Sequence, residues 1–172
     1  QNLQNYLNIN NTKLDECIIS TFYKFIVLEN YKDLKIKFDE FLSKTNVKGT
    51  ILLANEGVNG TIAGSASDLK KFFLYLEKFS QFNNIMPKFS SNNKNPFFRM
   101  KVRLKKEIVT IGIPEINPSK LVGKYLDVEK WNKLLNESDS MIIDTRNEYE
   151  VSIGTFKNSI NPKIKSFRDF PM

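Results

Sequence analysis

Apolar and polar positions recur along this chain with periods that divide it into short elements. Ile18–Leu28 is rich in β-formers and predicts a first strand. In Tyr31–Lys44, Leu34, Phe38, Phe41 and Leu42 fall at helical spacing with Lys and Asp between them. Gly49–Ala54 is a continuous apolar run, as in a buried strand. Asn55-Glu56-Gly57 predicts a turn. Val58–Ala63 predicts a second short strand, interrupted by Asn59-Gly60, a pair that favours a turn or bulge. Ser65 or Ser67 can cap a helix whose apolar positions are Leu69, Phe72, Phe73, Leu76 and Phe79. Ile85–Ser90 reads as a strand, Ser91–Pro96 as a polar loop, and Phe98–Leu104 and Glu107–Ile111 as strand-like. The order β-α-β-β-α-β, with an extra strand, predicts an α+β ferredoxin-like sheet with helices on one face.

Beyond this the pattern changes. Ile113–Lys124 carries Pro114, Pro118 and Gly123 and reads as a linker. Asp127 suits the cap of a short helix bearing Val128, Trp131, Leu134 and Leu135. Met141–Asp144 then reads as a strand opening a second domain, followed by an acidic, turn-prone stretch. The expected organisation is an N-terminal extension over 1–17, a ferredoxin-like domain over 18–112, a linker over 113–126 and an incomplete α/β domain over 127–172.

Composition narrows the chemistry. Hydrophobic residues are 41% of the chain and 14 of its residues are Phe, enough for a packed core. No apolar run approaches the roughly 18 residues of a membrane span, and the polar, Asn-rich start has no signal-peptide pattern, so no membrane is expected. The single cysteine, Cys17, precludes an intrachain disulfide and suggests a reducing, cytoplasmic setting. With no histidine, histidine-based acid–base catalysis and histidine-rich metal sites are excluded within this chain, and no metal site or cofactor is expected.

The net charge of +7 is unevenly placed. Ile18–Gly112 holds 16 Lys/Arg against 8 Asp/Glu, residues 113–172 hold 9 against 9, and residues 1–17 contribute −1. The excess positive charge of the first domain points to a polyanion. Lys outnumbers Arg 22 to 4 and Asn is abundant, which an AT-rich genome also produces; the four arginines run against that bias.

The residues best placed to hold phosphate are Arg99, Lys101, Arg103 and Lys105. Alternation on a strand sends these four to one side and Met100, Val102 and Leu104 to the core. A row of cations can follow a nucleic-acid backbone. The bland reading is the solvated face of an edge strand, where charge blocks aggregation. Phe97 and Phe98 could stack on bases, with core packing favoured for at least one of them. Gly57, Gly60 and Gly64 could form a phosphate cradle, but the segment lacks the Lys-Ser/Thr ending of a nucleotide loop, and a structural turn is favoured. Asp144 and Arg146, two residues apart at a strand end, can organise a loop through charge-assisted hydrogen bonds. Cys17, with no charge pattern to lower its pKa, reads as a small buried residue.

Leu52–Gly64 (LLANEGVNGTIAG), Arg99–Gly112 (RMKVRLKKEIVTIG), a Trp-bearing helix and Asp144–Pro162 (DTRNEYEVSIGTFKNSINP) resemble, in that order, the bacterial rhodanese-domain tRNA uridine hydroxylases. Generic sulfurtransferases commonly carry Gly-His where this chain has Gly154-Thr155. The resemblance implies a ferredoxin-like domain that binds tRNA, followed by the opening of a rhodanese domain. It implies oxygen-dependent 5-hydroxylation of the wobble uridine, with molecular oxygen as co-substrate and the tRNA anticodon region as partner. The family's essential cysteine lies in a loop with no counterpart here, so no catalytic residue is expected in this chain. A rhodanese-type sulfurtransferase and a non-catalytic RNA-binding module are the alternatives.

Overall fold

The computed structural model describes Asn5, residues 17–113 and residues 123–171. Most of the expected extension (1–17) and linker (113–126) therefore lies outside the described residues. The chain divides into two compact units, Gln1–Val109 and Thr110–Met172.

Residues 17–109 of the first unit hold five strands and two helices. These are β1 (Cys17–Phe25), α1 (Tyr31–Leu42), β2 (Lys48–Ala54), β3 (Gly57–Gly64), α2 (Ala66–Leu76), β4 (Lys88–Asn92) and β5 (Met100–Leu104). A 3-10 turn, Ser80–Phe82, follows α2. The sheet order is β4-β1-β3-β2-β5. β1 pairs antiparallel with β3 and β4, β3 antiparallel with β2, and β5 parallel to β2 at the edge. The first four strands and two helices form the interleaved split βαβ units of a ferredoxin-like fold, and β5 is the extra strand.

Period-2 alternation explains which side of the sheet is covered. Ile18 and Phe22 of β1, Ile51 and Leu53 of β2, Val58 and Ile62 of β3, and Val102 of β5 are buried in one core. Leu34, Phe38 and Leu42 of α1 and Leu69, Phe72 and Leu76 of α2 meet them from the helical layer. Phe38 and Phe72 approach edge-on with ring centroids 6.2 Å apart, and Phe22 lies 5.7 Å from Phe72. Truncating any of these rings to Ala would cost ~3–5 kcal/mol. Ser65 caps α2 by accepting the Asp68 amide at 3.1 Å. Between the helices, Phe41 stacks on Tyr75 at 4.0 Å, and the Tyr75 hydroxyl donates to the Lys37 carbonyl.

Several boundaries differ from the periodicity. β1 stops at Phe25, because the amides of Ile26 and Leu28 turn to the carbonyls of Glu56 and Asn55 at the β2–β3 hairpin. β4 runs over Lys88–Asn92 rather than 85–90, in register with Thr21–Cys17 of β1, so Ser91 and Asn92 pair instead of looping. Asn59-Gly60 lies within β3 and makes no turn. The hairpin turn is Asn55-Glu56, closed by Gly57 at φ +147°. Glu107–Ile111 alternates like a strand but leaves the sheet. Ile108 is buried, its amide donating to Glu56 Oε1 at 2.6 Å and its carbonyl accepting from Asn59 Nδ2 at 3.0 Å.

The second unit contains α3 (Val128–Leu135), capped by Asp127, which accepts the Lys130 amide at 2.8 Å, and α4 (Glu148–Ile153). The acidic stretch after Arg146 is thus helical and not a turn. Asn147 and Glu150 close a capping box at its start, with Glu150 Oε2 accepting the Asn147 amide at 3.1 Å. The expected strand Met141–Asp144 is reduced to a parallel bridge, Ile143 opposite Ile160. A strand needs a ladder of partners, and among the described residues only this bridge is present. Trp131 packs edge-on against Phe156, centroids 5.3 Å apart.

Candidate functional site

None of the five strands contains Asp or Glu. Every carboxylate of residues 18–112 sits on a helix, a turn or a loop. Of the strand cations, Lys24 lies on the helix side with its register partner Val58, and Lys48, Lys88, Lys101 and Arg103 lie on the other. The sheet face away from the helices is therefore basic by construction.

The backbone of β5 settles how its cations stand. Gly49 donates its amide to the Arg99 carbonyl at 3.1 Å, and Lys105 donates to the Leu53 carbonyl at 2.8 Å. Between these anchors, Lys101 lies opposite Thr50 and Arg103 opposite Leu52, on the helix-free face. Arg99, Arg103 and Lys105 are exposed and Lys101 is half-buried. No ion pair to a carboxylate is seen for any of the four among the described residues. Their charge is not spent internally, and it also guards an open sheet edge against pairing with another chain. On the opposite side, Val102 is buried and Met100 packs against the core. Leu104 departs from the expected pattern: it points the same way but remains 39% exposed at the end of the edge strand.

The segment from β4 to β5 crosses the end of the sheet and is tied down by one residue. Asn95 donates its side-chain amide to the Ala63 carbonyl at 3.2 Å and accepts the Phe97 amide at 2.9 Å. This holds Phe97 half-buried and Phe98 in solvent, 97% exposed. Thr50, Phe97, Phe98, Arg99 and Lys101 line an open groove of about 500 Å³. The glycine-rich segment 57–64 forms a strand and no phosphate cradle: Phe22 lies over Gly60, and Ile108 over Gly57.

Cys17 is half-buried rather than fully buried. Burial raises its thiol pKa, an effect that nearby Lys48 only partly offsets, so the thiol is not activated as a nucleophile.

In the second unit, Arg146 grips Asp144 in a two-pronged contact, Nε to Oδ1 at 2.9 Å and Nη2 to Oδ2 at 2.6 Å. Thr155 donates its hydroxyl to Asp144 Oδ2 at 2.7 Å, and Arg146 also donates to the Gly154 carbonyl at 2.7 Å. Arg146 first, then Thr155, holds the Asp144 carboxyl well below the usual carboxylate range. The pair ties the end of the 142–144 segment to the loop after α4. Thr155 is the partner that reading Asp144 and Arg146 alone omits; the Gly154-Thr155 signature is the sequence feature that draws attention to it.

Fold and site define an α+β sandwich of the ferredoxin type with a basic helix-free face. Residues 17–108 match the UPF0176 acylphosphatase-like domain, and the chain belongs to that family. It is 47% identical over 154 residues to a protein of Ehrlichia ruminantium (strain Welgevonden) named tRNA uridine(34) hydroxylase, covering 90% of this chain and 56% of that protein. It is 46% identical over 158 residues to one of the same name from Acaryochloris marina (strain MBIC 11017), covering 92% of this chain and 51% of that protein. The chain thus spans about half the length of these curated relatives. The solved BLUF protein BlrB superposes with a TM-score of 0.48 at 16% identity, over 58% of this chain and 81% of that one, too loose a match to carry function. Among the described residues no helix is long and apolar enough to cross a membrane.

Proposed function

We propose that this chain is the N-terminal portion of a tRNA-modifying enzyme that 5-hydroxylates the wobble uridine, using molecular oxygen as co-substrate, in the cytoplasm. The observation that carries this reading is 46–47% identity, across nine-tenths of the chain, to proteins named tRNA uridine(34) hydroxylase. In this division of labour the first unit grips tRNA and the second contributes to the domain that presents the reacting groups.

The grip falls to Arg99, Lys101, Arg103 and Lys105. Each cation that neutralises a phosphate releases condensed counterions, so affinity should fall steeply with salt. Asp144 and Arg146, with Thr155, act as loop organisers and not as reacting groups: the carboxylate is already committed to three side-chain hydrogen bonds. A pair so engaged is poorly suited to moving a proton.

Two measurements test the proposal. Nucleoside mass spectrometry of tRNA from cells lacking the gene, with and without the full-length protein restored, should show 5-hydroxylated uridine at the wobble position only with the protein. No change in that nucleoside, together with thiosulfate:cyanide activity, would replace hydroxylation by sulfur transfer. Replacing the four cations by Ala should weaken tRNA binding and flatten its salt dependence; unchanged binding and slope would remove the grip from β5.

A further inference from the structure

The helix-free face carries more than a row of cations. Across it runs one line of side chains set by strand register: Lys88 of β4, Thr21 of β1, Thr61 of β3, Thr50 of β2 and Lys101 of β5. The Thr21 and Thr61 hydroxyls lie 3.3 Å apart. Three hydroxyls, each able to donate or accept, therefore lie between two lysines. With strands about 4.8 Å apart, the line is roughly 19 Å long.

Aromatic rings stand at two places along this face. Phe98 projects into solvent beside Thr50 and Lys101, in the groove at the β5 end. Tyr23, 44% exposed, lies two residues further along β1, its ring edge-on to Phe25 at 6.1 Å. A phenyl ring left almost wholly in water gains nothing from folding, and Asn95 nonetheless fixes the backbone that presents it. Four-stranded sheets that read single-stranded RNA stack two or three bases on rings of this kind. Duplex RNA offers its outer surface but no free base faces.

We infer that this face is a platform for an unpaired stretch of RNA, with one base stacked on Phe98 and the backbone drawn along the line from Lys101 to Lys88. The inference rests on the tRNA reading above and deepens it, since it selects single-stranded over duplex regions of the partner. Charge complementarity favours this occupant: an acidic peptide would satisfy the lysines, but it would leave the ring without a flat partner and the hydroxyls without bases.

The test is fluorescence anisotropy of the 172-residue chain with a labelled oligouridine nonamer, a hairpin duplex of equal length, and whole tRNA. Oligouridine should bind more tightly than the duplex. Phe98→Ala should weaken oligouridine binding roughly tenfold, within what stacking of one base is worth, and leave the salt slope unchanged. Phe98→Trp should restore affinity, whereas Lys101→Ala should lower the slope by about one. Because Phe98 is 97% exposed, its replacement should not alter folding, which circular dichroism checks. Equal or tighter binding of the duplex, or no effect of Phe98→Ala, would overturn the platform. If tRNA still binds through the β5 cations in that case, the proposed function survives it; if no RNA binds at all, both fall.

Discussion

Gly60 lies directly opposite Phe22 across the β1–β3 pair, and a methyl group placed on Gly60 would come within 2.6 Å of the Phe22 ring. Phe22 has no room to withdraw, since Phe72 and Phe73 hold it at centroid distances of 5.7 and 5.8 Å. Gly60→Ala should therefore destabilise the chain by ~1–3 kcal/mol, the cost of overpacking. A urea titration should show a lower midpoint with an unchanged slope; no loss would mean that the aromatic cluster can shift.

The α2 cap provides a second, smaller test. Ser65→Ala removes the acceptor of the Asp68 amide and should cost ~1 kcal/mol, whereas Ser65→Gly should cost only a few tenths. The ranking of the two variants by denaturation midpoint checks the assignment.

Asp144 should give the second unit a pH-dependent stability. Its carboxyl titrates below the ordinary 3.8, so at acid pH the folded state binds fewer protons than the unfolded one. The contribution is complete above the unfolded value and is lost as pH falls through the folded one. Asp144→Asn should therefore differ most from the unaltered chain near neutrality and converge with it under strong acid. Hydrogen exchange at the Arg146 amide, which donates to Asp144 at 3.2 Å, reports this locally.

If the proposed grip is right and each cation of β5 meets its own phosphate, the cations should act nearly independently. Replacing Arg103 alone by Ala should lower the salt slope of tRNA binding by about one and weaken binding equally across tRNA sequences. Binding measured between 50 and 200 mM salt, values chosen to span a steep part of the dependence, decides it.

Local spacing alone specifies some segments of this fold and not others. The two helices of the first unit were legible because burying one stripe forces a period near 3.6, and Leu34, Phe38, Leu69, Phe72 and Leu76 keep it. The apolar run of β2 was equally plain. Glu107–Ile111 misled because its alternation satisfies the strand template, while a side-chain contact to Glu56 and another to Asn59 draw Ile108 off the sheet. Asn59-Gly60 misled in the opposite sense: the glycine is required by the ring above it, not by a turn.

The same division runs through the site. The alternation of Arg99, Lys101, Arg103 and Lys105 was visible in one dimension, because a strand's period of two is local. That β5 lies at the edge beside β2, that Lys88 and Lys101 end one line of threonines, and that Phe98 stands in solvent beside that line were not. Those relations join residues tens of positions apart, and strand order and register alone bring them together. The sequence by itself determined the two helices of the first unit, the core stripes and the alternation of cations along β5, which follow from local spacing. The tertiary structure decided which of these cations, hydroxyls and rings share a face, because only pairing between distant strands sets that geometry.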